Sequence, residues 1–223
     1  MDARRFRSVF QPFVDLSSGA VVGYEALTRF DDGRSPLERF NEAHAVGLGS
    51  ELEAACVELA LETSSSLAPD LFLSVNFSPV ALLDGHAMSV LEGKHRKVVI
   101  EITEHAKIEH YGAVRKAVDD NEGCLLAVDD AGAGYTSLRH ILELHPDFVK
   151  LDISIVRDID TDPARQAMAA GMCHFAAQSG TIIIAEGIET QGEADVLRDL
   201  GAELGRGGML GQGYFFARPA PLD

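Results

Sequence analysis

Short β-branched and apolar runs alternate along this chain with longer amphipathic stretches, a pattern that belongs to a parallel barrel or a doubly wound sheet rather than a sandwich. Strands are predicted at about 8–16, 20–30, 71–76, 98–102, 125–128, 148–151, 181–185 and 214–217, where the runs are short and rich in Val, Ile, Leu and Phe. Helices are predicted at 36–46, 51–66, 111–121, 137–144, 163–179 and 191–200, where apolar residues recur at helical spacing. Only Ser17, Ser18 and Gly19 join the first two strands. That turn is too short for a parallel crossover, so these strands should form an antiparallel hairpin inside an otherwise parallel α/β sheet.

A chain of 223 residues with 46% hydrophobic content can bury one sizeable core, and a βα barrel runs at about 200–250 residues as a single domain. No low-complexity segment, long repeat or Pro/Ser-rich linker divides the chain, so residues 1–223 are expected to form one domain. A small local duplication, LGRG at 204–207 and LGQG at 210–213, lies near the end. Thirty-five Asp and Glu against 19 Lys and Arg give a formal charge of -16, which repels polyanions and argues against DNA as a partner. Cys56, Cys124 and Cys173 are odd in number, far apart and set in apolar stretches. They read as reduced core residues, and a cytoplasmic location is expected. No segment approaches the roughly 18 consecutive apolar residues of a membrane span, and the opening MDARRFRSVFQPFVDL has no long apolar core behind its basic residues.

The ends of the predicted strands carry the chemistry. SVNFS ends on Asn76, VVIEITE on Glu101 and Glu104, LLAVDD on Asp129 and Asp130, FVKLD on Lys150 and Asp152, and IIIAEGIE on Glu186 and Glu189. In a parallel barrel these ends converge on one face. A single acid at a strand end is commonly the N-cap of the next helix, Asp129-Asp130 ahead of AGAG has the composition of a turn, and Lys150 alone reads as a surface lysine. Capping accounts for one strand end, but not for an ionisable or amide side chain at nearly every one. Carboxylates crowded in this way repel and desolvate one another, whereas divalent cations let all of them stay ionised. Oxygen ligands with one amide and neither Cys nor His favour Mg²⁺ or Mn²⁺, with Ca²⁺ as a third candidate, over zinc. Two such ions about 3.5–4 Å apart would clamp the attacking and leaving oxygens of a phosphodiester.

Eight motifs follow in order along essentially the whole chain: QPFVDL (11–16), YEALTR (24–29), VNFS (75–78), EITE (101–104), DDAGAGYTSL (129–138), VKLD (149–152), AEGIET (185–190) and GQGYFFARP (211–219). Together they resemble the EAL domain family. The resemblance implies a modified TIM-type (β/α)8 barrel with an antiparallel first strand, which hydrolyses cyclic di-GMP to linear pGpG and so lowers that second messenger in bacterial signalling. It implies two divalent cations, Mg²⁺ or Mn²⁺, with Ca²⁺ as an inhibitory occupant. Glu25, Asn76, Glu101 and Asp129 match ligands of the first ion, with Asp129 shared, and Asp130 and Glu186 match second-ion positions. Lys150 matches the residue that contacts the catalytic water, either as an orienting cation or as a base. Glu189 and Gln212 match positions that hold metal-bound waters or substrate. Gln11, Leu27, Arg29 and Asp152 match substrate-binding positions, with Arg29 suited to a phosphate oxygen, and Glu104 matches a loop anchor. Phe215-Phe216 either packs on a guanine or joins the core. A homodimer is implied as well, with regulation by a further domain of a longer protein or by a protein partner.

Two features depart from the family pattern. Its loop usually reads DDFGTGYSSL, and here Ala131 and Ala133 stand in place of Phe and Thr. A looser loop is expected, with activity reduced or partner-dependent rather than absent. Upstream of Gln212, LGAELGRGGMLGQGY adds about six residues, at little entropic cost. The YFFARP that follows selects Gln212 over Arg206 as the family position. One competing reading is a receptor that holds cyclic di-GMP without cleaving it; such members usually lose metal ligands or the EAL glutamate, and none is lost here. An enolase-like proton-abstraction site would also place acids and a lysine at strand ends. A purely structural interaction domain would need no carboxylate cluster.

Overall fold

The chain opens with two ten-residue strands, β1 (Phe6–Asp15) and β2 (Val21–Phe30), paired antiparallel. Asp15 closes their turn, its carboxylate accepting the Ser17 and Ser18 backbone N–H groups at 2.9 and 2.8 Å. Gly19 supplies the positive φ of 74° that the turn requires. The structure, a computed structural model, describes residues 5–94, 96–102, 107–131, 135–202 and 208–222, with the side chains of residues 86, 130 and 135–137 left aside.

After the hairpin come α1 (Pro36–Ala45), α2 (Gly49–Thr63), β3 (Phe72–Asn76), α3 (Pro79–Leu83), α4 (Gly85–Ser89), β4 (Val98–Ile102), α5 (Tyr111–Asp119) and β5 (Cys124–Ala131). The remainder runs α6 (Tyr135–Leu144), β6 (Phe148–Leu151), α7 (Ile153–Val156), α8 (Pro163–Ser179), β7 (Ile182–Ala185), α9 (Gln191–Ala202) and β8 (Leu210–Gly211). The strands close in sequence order into a barrel. β1 is antiparallel to both neighbours, β2 and β8, and the other pairs are parallel. The expected modified TIM-type barrel is therefore observed.

The last strand corrects the sequence expectation. Residues 214–217 form a turn, with the Phe216 and Ala217 N–H groups both directed to the Gly213 carbonyl. The barrel is closed instead by Leu210 and Gly211, paired with Ile184 and Ala185 of β7 and with Val14 and Asp15 of β1. The aromatic YFFA run misleads because the Phe215 and Phe216 rings pack edge-on against each other, 5.1 Å apart, rather than alternating across a sheet. The short helices α3, α4 and α7, of four or five residues, were not foreseen, since they are too short to show a helical period. Ala131, expected in a loop, ends β5 and is fully buried.

Strand alternation sorts the core into two. One set of side chains, including Leu73, Ile100, Leu126, Val149 and Ile183, packs outward against the helices. The other set, Phe13, Val99, Ala127, Phe148, Ile184 and Leu210, fills the lower interior. Phe13 and Phe72 stack with centroids 5.3 Å apart, and Phe72 meets Phe148 at 5.7 Å. Gly23 makes this layer possible, because a Cβ there would overlap the Phe72 ring. Two residues from this layer toward the C-terminal ends of the parallel strands, which on antiparallel β1 is two residues earlier in the chain and on β2 is two beyond Gly23, the side chain on the same face is polar: Gln11, Glu25, Ser74, Glu101, Asp129, Lys150, Glu186 and Gln212. The apolar layer is thus the floor of a polar chamber at the C-terminal ends of the parallel strands, where active sites of this architecture lie.

Gly213 fixes the chain just past β8, since a Cβ there would run into the Ile188 backbone. Gly213→Ala should therefore destabilise the protein by about 1–3 kcal/mol. Gly171, exposed in α8 with open space around its Cα, should instead gain about 0.5–1 kcal/mol on Gly171→Ala. Denaturant melts of the two variants check both signs.

Candidate active site

The strand register brings the strand-end side chains together. Gln11 lies opposite Glu25, Glu25 opposite Ser74, and Asn76 opposite Glu101. Glu101 is opposite Ala127, so Asp129 projects onto the same face. Lys150 is opposite Ile184, which places Glu186 two residues higher on that face.

Lys150 stands at the centre, only 1% exposed. Its Nζ lies 2.8 Å from Glu101 Oε2, 2.8 Å from Glu186 Oε1, 3.2 Å from Asp129 Oδ1 and 3.9 Å from Glu25 Oε1. Burial works against its charge, but Asp129, Glu101, Glu186 and Glu25 outweigh that cost and hold its pKa well above the ordinary lysine value. Burial in turn pushes Glu101 up to about 8, against the pull of the Lys150 ammonium and with the repulsion of Glu25 and Asp129. Glu186 is raised by the same causes, burial first.

The acids are braced from outside the ring. Gln212 Nε2 donates to Glu25 Oε2 at 2.8 Å, and Ser74 Oγ donates to Glu101 Oε1 at 2.5 Å. Ser74 was not singled out from the sequence. The signal was present, since a lone hydroxyl in the apolar run FLSVN sits two residues before Asn76 and so shares its face.

Several expected site residues lie outside this ring. Glu189 pairs with Arg157 at 3.2 Å, and the Asp152 carboxylate caps α7 through the Ser154 N–H at 2.8 Å. Gln11 donates to the Ala217 carbonyl at 3.0 Å, and Arg29 to the Thr28 carbonyl at 2.9 Å. Arg29 and Leu27 also wall a cavity of about 340 Å³ that opens beside Glu25 and Asn76 and is bounded by Phe40 and Cys56. Burial pushes the Cys56 thiol up to about 11, and Cys56, Cys124 and Cys173 are all buried and free of disulfides. A larger cavity of about 710 Å³, between Phe6, Phe30, Val46 and Leu52, contains none of the strand-end acids. Phe215 is partly exposed and Phe216 packs on the core. Glu104, Ala133, Arg206 and the Asp130 side chain lie outside the described residues.

The ring has the donor chemistry of a hard-cation site. Four carboxylates face a single ammonium, so negative charge is in excess, and Asn76 adds an amide oxygen at the rim. Among the described residues no group of three or more His, Cys, Asp or Glu side chains is arranged to hold a metal ion as it stands; the acids converge on the Lys150 ammonium instead. Also among the described residues, no helix is long and apolar enough to cross a membrane.

Known proteins share both the sequence pattern and the barrel. Over 239 residues the chain is 28% identical to an uncharacterised Mycobacterium bovis protein, with 99% of this chain and 37% of that protein aligned. It is also 28% identical over 234 residues to Escherichia coli K12 PdeI, described as a probable cyclic di-GMP phosphodiesterase, covering 96% of this chain and 29% of PdeI. The chain thus spans well under half the length of these curated relatives. Among solved structures, a manganese/cy-diGMP complex of Klebsiella pneumoniae BlrP1 superposes with a TM-score of 0.83 at 28% identity, covering 99% of this chain and 57% of that one. The family model described as EAL domain matches residues 1–219, and the chain belongs to that family.

Proposed function

We propose that this domain hydrolyses cyclic di-GMP to linear pGpG with two bound divalent cations. The observation that carries this reading is the ring of Glu25, Glu101, Asp129 and Glu186 around Lys150 at the C-terminal end of the barrel. The cyclic di-GMP phosphodiesterase description of PdeI and the manganese/cy-diGMP complex of BlrP1 support the same substrate and metal class.

In this reading Glu25, Asn76, Glu101 and Asp129 hold one ion, and Asp129 with Asp130 and Glu186 holds the other. The ions' contribution when bound is Lewis acidity toward water and toward the phosphoryl oxygens. Gln212 and Ser74 keep Glu25 and Glu101 in orientation, which spares reorganisation when charge develops. Lys150 carries up to three N–H donors into the site and, already bridged to two carboxylates at 2.8 Å, orients the attacking water as a cation. Arg29 and Leu27, at the cavity beside Glu25, receive a phosphate oxygen and a base. Glu189, half-exposed and paired with Arg157, lies at the rim and meets water or substrate there.

The test is turnover by purified protein in Mg²⁺ or Mn²⁺, followed chromatographically beside an EDTA control and a binding titration. Linear dinucleotide is expected with metal and not with EDTA, and binding without product would mark a receptor instead. Glu25→Ala and Lys150→Ala should each lower turnover by about 10²-fold or more. Full activity in either variant contradicts the assignment.

The site also sets a pH dependence. In an unfolded chain a glutamic acid titrates near about 4.3, whereas burial holds Glu101 at about 8. Between those values the folded state retains a proton that the unfolded state has lost, so the stability contributed by this group falls as pH rises. Chelated Glu101→Gln protein should therefore gain stability relative to chelated wild type between pH 5 and pH 8. Mn²⁺, which binds the ionised ring, should raise the wild-type melting temperature more at pH 8 than at pH 5. Equal Mn²⁺ shifts at the two pH values would contradict this.

A further inference from the structure

Glu53 breaks the apolar stripe of α2. The buried face of that helix carries Gly49, Ala54, Val57 and Ala60, and Glu53 lies among them at 6% exposure. Helical spacing asks for an apolar residue there, and a buried carboxylate is tolerated only where its oxygens are satisfied. Both are. Oε2 accepts the Ser78 backbone N–H at 2.7 Å, and Oε1 lies 3.0 Å from His44 Nε2.

The first of these contacts bears on the site. Asn76 ends β3 opposite Glu101, and the next N–H, that of Phe77, still reaches the Glu101 carbonyl at 3.2 Å. At Ser78 the strand ladder gives out, and Ser78 becomes the N-cap of α3, its hydroxyl accepting from Ala81. Its own N–H is taken by Glu53. The segment 76–78 is thus pinned on one side by β4 and on the other by a side chain of α2.

The second contact reaches the cavity wall. α1 has no buried residue, yet its Leu37 and Phe40 bound the cavity beside Glu25 and Asn76. His44, in the last turn of α1, is held against α2 because Gly49 has no side chain, where a Cβ would meet the imidazole ring.

We propose that Glu53 is a positioning residue that fixes Asn76 against Glu101 and, through His44, ties that turn to the wall of the substrate cavity. This rests on the metal-binding reading of Asn76. Removing an outer partner of a metal ligand typically costs 10–100-fold in metal affinity.

The experiment is a Mn²⁺ titration with thermal melts on three variants. Glu53→Leu completes the apolar stripe and removes the acceptor. It should melt close to wild type, while its Mn²⁺ affinity falls about tenfold or more. Glu53→Gln keeps an oxygen for the Ser78 N–H and should restore most of that affinity. Ser78→Pro removes the donor from the other side, and the Ser78 φ of -72° suits proline. It should lose Mn²⁺ affinity as Glu53→Leu does, and it decides the matter if Glu53→Leu does not fold. Wild-type affinity in Glu53→Leu or Ser78→Pro, with the wild type itself binding Mn²⁺, overturns this inference alone. Failure of the wild type to bind Mn²⁺ overturns the metal reading and this inference together.

Discussion

A lysine ammonium at 1% exposure is affordable only when carboxylates surround it, and carboxylates as buried as Glu101 need a cation in return. The barrel satisfies both demands at one place, between Glu101, Glu186, Asp129 and Glu25. The balance is one-sided, because the acids outnumber the ammonium. Burial first, and then the repulsion of the neighbouring acids, keeps Glu101 and Glu186 above the usual carboxylate range even with Lys150 beside them, and the excess of acids gives divalent cations their electrostatic reason to bind.

The ring depends on register. Most strands contribute one interior apolar side chain and, two residues nearer the chamber, one polar side chain, with Gly23 standing below Glu25 on β2, and this alternation survives only if the eight strands stay in step. The packed Phe13–Phe72–Phe148 layer supplies the floor, and the closing pair Leu210–Gly211 brings Gln212 to Glu25. Lengthening the segment before β8 leaves this intact, because register is set by the Ile184 and Val14 pairings on either side and not by the length of the connection.

Much of this was legible in the sequence. β4 and β6 match their expected limits because short runs of Val, Ile, Leu and Phe have few alternatives, and the strand-end acids found one another because a barrel directs them to one face. What was not legible depended on contacts between distant segments. The last strand was misplaced because LGQG carries neither a β-branched nor an aromatic signal, whereas YFFA is rich in aromatics. Asp152 and Glu189 read as members of the cluster but face the Ser154 N–H and Arg157, which spacing alone does not distinguish. Glu53 is distinguished from the other acids of α2 by its burial and by the Ser78 N–H it accepts, neither of which the sequence displays.

The most direct test of the account is a count of bound Mn²⁺ by electron paramagnetic resonance of the free ion, titrated into wild-type protein stripped with EDTA. Two ions per chain are expected, with binding weakened when Glu101 is replaced by Gln. Saturation at no ion, or the same stoichiometry and affinity after Glu101→Gln, would contradict the claim that the excess charge around Lys150 is a cation site.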